Sequence, residues 1–186
     1  MGTYTDGFAV FFIFIFYKGK HMNFSNNGIR LLKQLEGCVK QNGKHIIYDD
    51  HSGQAPAPHA PLPRGATIGY GHLIKPDEDF SAGITEDVAT ELLRADIAIA
   101  EQAVQKNIHA PLTQNQFDAL VIFAYNIGAH NFATSTVVKY INNPHFRSNT
   151  YPTLESAWCA WNKSGGHEIH GLTARRNTEW KLFCAI

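Results

Sequence analysis

Hydrophobic positions recur with a helical period along most of the chain, and one early stretch breaks that rhythm. In "IRLLKQLEG", Ile29, Leu32 and Glu36 are spaced i, i+3, i+7 and share one face of a helix whose run Arg30 to Leu35 ends on Glu36. Gly37 supplies a C-terminal stop. The following 35 or so residues lose the helical period. "KHIIYDD" reads as a strand, and "ATIGYGH", Ala66 to His72, as a second one with glycines that allow tight bends. Between them "HSGQAPAPHAPLPRG" holds four prolines and no period, so it is a loop.

Beyond "KPDEDFSAG" the helical period returns. Thr85 is a good N-cap, with Glu86 and Asp87 in the first turn where the helix dipole favours acids. Val88, Leu92, Ala95 and Ile99 predict the apolar face of that helix. Thr113 and Gln116 fit a capping box, and Phe117, Leu120, Val121, Ala124 and Tyr125 predict a buried stripe that closes at Gly128. Three shorter patterns follow. Val137, Val138 and Ile141 stop at Asn143-Pro144. Leu154, Ala157, Trp158 and Trp161 are broken at Gly165-Gly166. Leu172, Arg175, Arg176, Glu179, Trp180 and Phe183 form the last helix. The expected fold is α+β and mostly helical: a small β lobe joined to a helical lobe, with a cleft between them where ligand sites are favoured.

The first residues stand apart. "FAVFFIFIFY", Phe8 to Tyr17, is about half the ~20 residues needed to span a bilayer. No Lys or Arg precedes it, whereas Lys18 and Lys20 follow, so it lacks the order of a cleaved signal. We therefore divide the chain into an apolar extension, residues 1–21, and a folded unit, residues 22–186; any membrane contact is expected only through residues 8–17. Lys+Arg and Asp+Glu both number 16, which gives no support to a nucleic-acid partner. Cys38, Cys159 and Cys184 are too few and scattered for a disulfide framework and are expected to pack as small hydrophobes. "HEIH", His167 to His170, has a spacing that holds a metal on a helix but lacks a third ligand, so no metal is expected.

The candidate chemistry lies at the end of the first helix. An acid on a face shared with Ile29 and Leu32 is partly desolvated, which penalises its charged form and suits it to give up a proton. Asp49 and Asp50 sit among polar, flexible residues where a carboxylate stays ionised. Two carboxyls in contrasting surroundings are the pattern of glycoside hydrolysis.

These stretches, taken in order, resemble the phage lysozymes, or endolysin muramidases, of glycoside hydrolase family 24. "LLKQLEG" resembles the family's first helix with its catalytic glutamate, "YDD" its Tyr-x-Asp, and "TIGYGH" its Thr-Ile-Gly-x-Gly-His strand. "GITEDVATELLRADI" resembles the inter-lobe helix, "PLTQNQFDALVIFAYNIG" the central buried helix, and "WNKSGGHEIHGLTARRNTEWKLF" the C-terminal signature. The resemblance implies a two-lobed phage-lysozyme-like fold. It also implies a lysozyme activity, needing no cofactor, that cuts the β-1,4 bond between N-acetylmuramic acid and N-acetylglucosamine. Its partner is bacterial peptidoglycan, and the protein is expected to be a monomer made in the host cytoplasm and acting on the wall in the periplasm.

Glu36 matches the general acid, Asp50 the aspartate of Tyr-x-Asp, and Thr67 the threonine of the strand. Single displacement then predicts carboxyls roughly 6.5–9.5 Å apart. The commoner family pattern is a tight hairpin, whereas sixteen residues, His51 to Ala66, separate Asp50 from Thr67 here. Asp49 therefore stays an alternative for the second carboxylate. Around this set, Tyr70 is expected to stack on a sugar because its glycine neighbours leave it room. His72 either lines the cleft or holds a structural hydrogen bond. Arg175 either meets an acidic group of the substrate or pairs with Glu179 at i+4. Cys38, two residues from Glu36, is a candidate redox switch. The alternative function is a catalytically silent, wall-binding module of the same fold.

Overall fold

The computed structural model describes residues 22–49, 52–56, 62 and 65–185. The apolar run at 8–17 and Asp50 therefore lie outside the described residues.

Helix α1 (Asn26–Glu36) starts at Ser25, whose side chain accepts the Gly28 N–H, and ends at Gly37 with φ +67°. That left-handed angle suits glycine, so chain direction changes immediately after Glu36. The start of α1 is also fixed from outside, since the Ser25 N–H donates to the buried Asp118 carboxylate at 3.0 Å.

The β region is more broken than the sequence pattern predicts. "KHIIYDD" divides into β2 (Lys44–His45), which pairs with β1 (Lys40–Gln41), and β3 (Tyr48–Asp49). "ATIGYGH" divides into β4 (Ala66–Ile68), a turn through Gly69, Tyr70 and Gly71, and β5 (His72–Leu73). Strands β3, β4 and β5 form an antiparallel sheet in that order, with Thr67 opposite both Tyr48 and Leu73. The positive φ angles of Gly69 and Gly71 (+67° and +89°) turn the chain back within three residues, which one continuous strand would not permit.

Helix α2 (Glu86–Asn107) leads away from this lobe, capped by Thr85 as expected. Its buried face is Ala89, Leu93, Ile97, Ala100, Ala103 and Val104 rather than the predicted stripe. Val88 and Ile99 are exposed, while Leu93, Ile97 and Val104, with the alanines between them, face the core. Helix α3 (Gln114–Ile127) carries the predicted capping box and buries every residue from Phe117 to Ala124. It forms the centre of the helical lobe, packed by α1, α2, α4 (Ala129–Thr134) and α7 (His170–Cys184). Helices α5 (Thr136–Asn142) and α6 (Leu154–Cys159) close one side, and the hairpin β6–β7 (Lys163–Ser164, His167–Glu168) leads into α7. His167 thus lies on a strand and His170 begins a helix, so "HEIH" never forms the helical pair that its spacing suggested.

The cysteines also depart from expectation. All three are free, and Cys38 and Cys184 are exposed rather than packed as hydrophobes. Among the described residues no helix is long and apolar enough to cross a membrane.

Candidate active site

Glu36 occupies the last turn of α1, at the edge of the face that buries Ile29 and Leu32. Its side chain is 20% exposed, so it is partly withdrawn from solvent, as the helical pattern predicted. Arg175 of α7 donates through Nη2 to Glu36 Oε1 at 2.7 Å. On the other side, Gly71 brings its backbone so close that an added Cβ would stand 4.0 Å from Glu36 Oε2. The carboxylate is thus held between the last helix and the turn that follows Thr67.

Thr67 is buried in the middle strand, and its hydroxyl donates to the Tyr48 carbonyl at 3.4 Å. With its hydrogen directed to that carbonyl, Oγ1 keeps lone pairs to accept from another donor, such as water. Asp49 is engaged locally: its Oδ1 accepts from Ser52 N (2.8 Å) and Ser52 Oγ (3.1 Å) in the turn that leaves β3. That use of the carboxylate is a turn-capping role.

Tyr70 is buried, not open to solvent as its glycine neighbours suggested. It is 7% exposed, its hydroxyl donates to Glu86 at 2.6 Å, Lys33 Nζ lies over its ring 5.1 Å from the centroid, and the His45 imidazole meets it edge-on with centroids 5.1 Å apart. Burial and the Glu86 carboxylate both push its phenol up. Glu86 itself accepts from Lys33 (2.8 Å), Lys40 (2.8 Å) and Tyr70, and its Oε2 is 2.9 Å from His45 Nε2. Burial opposes its charge, but these four partners outweigh it and hold the carboxyl well below the usual range. The cluster ties α1, the β1–β2 hairpin and the Gly69–Gly71 turn to the first turn of α2, and so fixes the lobe that carries Thr67.

His72 takes the hydrogen-bonding role. It is 4% exposed, with Nδ1 2.9 Å from Asp96 Oδ2 and Nε2 3.0 Å from Glu78 Oε2. Burial disfavours its charge, but the two carboxylates prevail and raise its affinity for a proton.

Arg175 pairs with Glu179 as one of its two expected roles required, although the pair is interior rather than on the surface. Arg175 Nε donates to Glu179 Oε1 at 3.1 Å, while Nη2 serves Glu36. Glu179 is fully buried, accepts from Trp158 Nε1 (3.0 Å) and forms an ion pair with Arg176 Nη2 (3.1 Å). The sequence placed Arg175, Arg176 and Glu179 on one helix; their i+3 and i+4 spacing was the available signal for this cluster.

The model of the phage lysozyme family matches residues 33–179, and the chain belongs to that family. More particularly, it is 36% identical over 162 residues to the endolysin of Bacillus phage B103, covering 87% of this chain and 54% of that protein. It is 34% identical over 165 residues to the endolysin of Salmonella phage P22, covering 87% and 98%. The chain thus spans about half the length of some curated relatives and nearly all of others. Among solved structures it is similar to the muramidase domain of SpmX from Asticaccaulis excentricus, with a TM-score of 0.66 at 30% identity, covering 88% of this chain and 99% of that one. A P22 lysozyme mutant gives a TM-score of 0.66 at 33% identity, covering 88% and 99%.

Proposed function

We propose that residues 22–186 form a peptidoglycan hydrolase of the muramidase type, a lysozyme that cuts the β-1,4 bond between N-acetylmuramic acid and N-acetylglucosamine and acts on the bacterial wall from the periplasmic side. The observation that carries this reading is the half-buried Glu36 carboxylate, held at one oxygen by Arg175 and flanked at the other by the turn that follows Thr67. Glu36 in its protonated form delivers its proton to the bridging oxygen, and the leaving sugar departs as an alcohol. Asp50 and Thr67 position a water on the opposite face of the sugar, and Asp50 takes its proton as the water attacks. Asp50 is preferred to Asp49 because the Asp49 carboxylate caps its own turn.

Purified sacculi incubated with the full chain should release muropeptides with new reducing ends on N-acetylmuramic acid. Glu36→Gln should slow that release by on the order of 10²–10⁴-fold without losing the fold. Equal clearing by both proteins would remove Glu36 from the mechanism. Retention on sacculi with no reducing ends from the parent would leave a wall-binding module.

A further inference from the structure

Glu179 is a buried acid far from solvent that the proposed hydrolysis does not use. It is fully buried; Arg175 Nε donates to Oε1 at 3.1 Å and Trp158 Nε1 to Oε2 at 3.0 Å, while Arg176 Nη2 forms an ion pair with Oε1 at 3.1 Å. Burial pushes the Glu179 carboxyl up, and the two arginines and Trp158 work against that; because none of these partners offers an acceptor for a carboxyl hydrogen, the geometry favours the ionised form. Arg176 is equally buried; it donates to Asn126 of α3 and stacks over the Phe123 ring at 5.1 Å. Arg175 bridges this interior cluster to Glu36, with Nε on Glu179 and Nη2 on the candidate acid.

Other charged and titratable groups lie near Glu36. Tyr125 of α3 is half-buried and feels the charges of Glu36, Asp96 of α2 and Arg175, together with Tyr48 of β3. Arg176 also senses Glu36. Two arginines without a counter-charge here would stabilise the ionised form of Glu36, which is the wrong form for giving up a proton.

We propose that Glu179 is a positioning residue for the acid: it neutralises one of the paired arginines from behind and fixes Arg175 by its Nε, so that the net charge of the buried Arg175–Arg176–Glu179 cluster sets the pH at which Glu36 stops working. This rests on the reading of Glu36 as the general acid. A general acid must be protonated, so the rate falls on the alkaline side as it ionises. Removing the negative charge makes the cluster more positive and moves that alkaline limb to lower pH. Removing the Arg176 charge moves it to higher pH. At one guanidinium's remove, in surroundings between protein and water, a unit charge corresponds to about one pH unit.

The test is the pH profile of sacculus clearing at fixed ionic strength for the full chain and for Glu179→Gln, Arg176→Gln, the double variant and Glu36→Gln, each with a thermal melt. The inference expects the alkaline limb to fall in Glu179→Gln, to rise in Arg176→Gln, and to return to the parent position in the double variant. If Glu179→Gln does not fold, the rise in Arg176→Gln and the return in the double variant decide the matter, because the double variant restores the buried charge balance. A limb that stays in place in the folded variants, with only rate or melting temperature changed, overturns the inference and leaves the cluster as scaffolding. So does a limb that moves without following the sign of the charge. Glu36→Gln keeps the two failures apart: if it clears sacculi like the parent, the reading of Glu36 has failed, whereas an inactive Glu36→Gln with unmoved limbs sinks only the role of Glu179.

Discussion

His72 gives the sharpest test of how the β lobe is held on the helical lobe. Its ring is buried at the start of β5, between Asp96 of α2 and Glu78 of the connecting segment, with both nitrogens within 3.0 Å of a carboxylate oxygen. Both nitrogens donate only when the ring is protonated, so both contacts are charge-assisted only then. Replacing His72 by Gln keeps a polar side chain but removes the charge and one of the two contacts. Hydrogen bonds to charged groups contribute about 1.5–3 kcal/mol each. Asp96 and Glu78 side chains are 28% and 22% exposed, so water moderates the loss and roughly 2–3 kcal/mol in all is expected.

For a domain of this size, that loss lowers the melting temperature by roughly 4–12 °C. The pH dependence follows from the direction of the shift. The folded state raises the proton affinity of His72 above its unfolded value of about 6.5. The stabilisation is therefore complete below that value and is lost as pH rises through the folded value. Calorimetric melts of the full chain and His72→Gln, taken from pH 5 to 9, should show a gap that is wide at acid pH and closes on the alkaline side. A gap of constant width, or one that widens with pH, would refute the charged-histidine account.

Two further substitutions probe the turn between β4 and β5. Tyr70→Phe leaves Glu86 without its 2.6 Å phenol donor and should cost about 1–2 kcal/mol in urea unfolding, with KM for sacculi unchanged; unchanged stability with weakened binding would restore Tyr70 to the sugar site. Gly71→Ala forces a side chain into φ +89°, at a cost of about 1–2 kcal/mol, and presents a methyl group to Glu36; clearing should drop more than the melt accounts for, and a loss confined to stability would mean that the turn does not shape the acid's surroundings.

Much of the frame was legible because its signals are local. The face shared by Ile29, Leu32 and Glu36, the Gly37 stop, and the Thr85 and Thr113 caps depend on neighbours within a turn or two of chain, and the structure keeps them. The α2 face was misread for a related reason. Val88, Leu92 and Ile99 satisfied the period, but so do Leu93, Ile97, Ala100 and Val104 on the neighbouring face, and the period alone does not say which of two apolar stripes meets the core. The exposure of Tyr70 was misread because flanking glycines signal a tight turn but not the direction in which the side chain points.

The sequence by itself determined most of the helices, the Thr85 and Thr113 caps, the order of the motifs and the acid at the end of α1, since covalent spacing and backbone preference act over a few residues; the short α4 and the Ser25, Ser135 and Thr153 caps were not read from it. Only the tertiary structure decided which groups meet that acid. Arg175 lies 139 positions from Glu36 along the chain, and Trp158 reaches Glu179 from another helix. Such contacts arise from packing α7 against α3 and α1 against the same core, and a charge buried there takes its behaviour from partners that no local pattern can name.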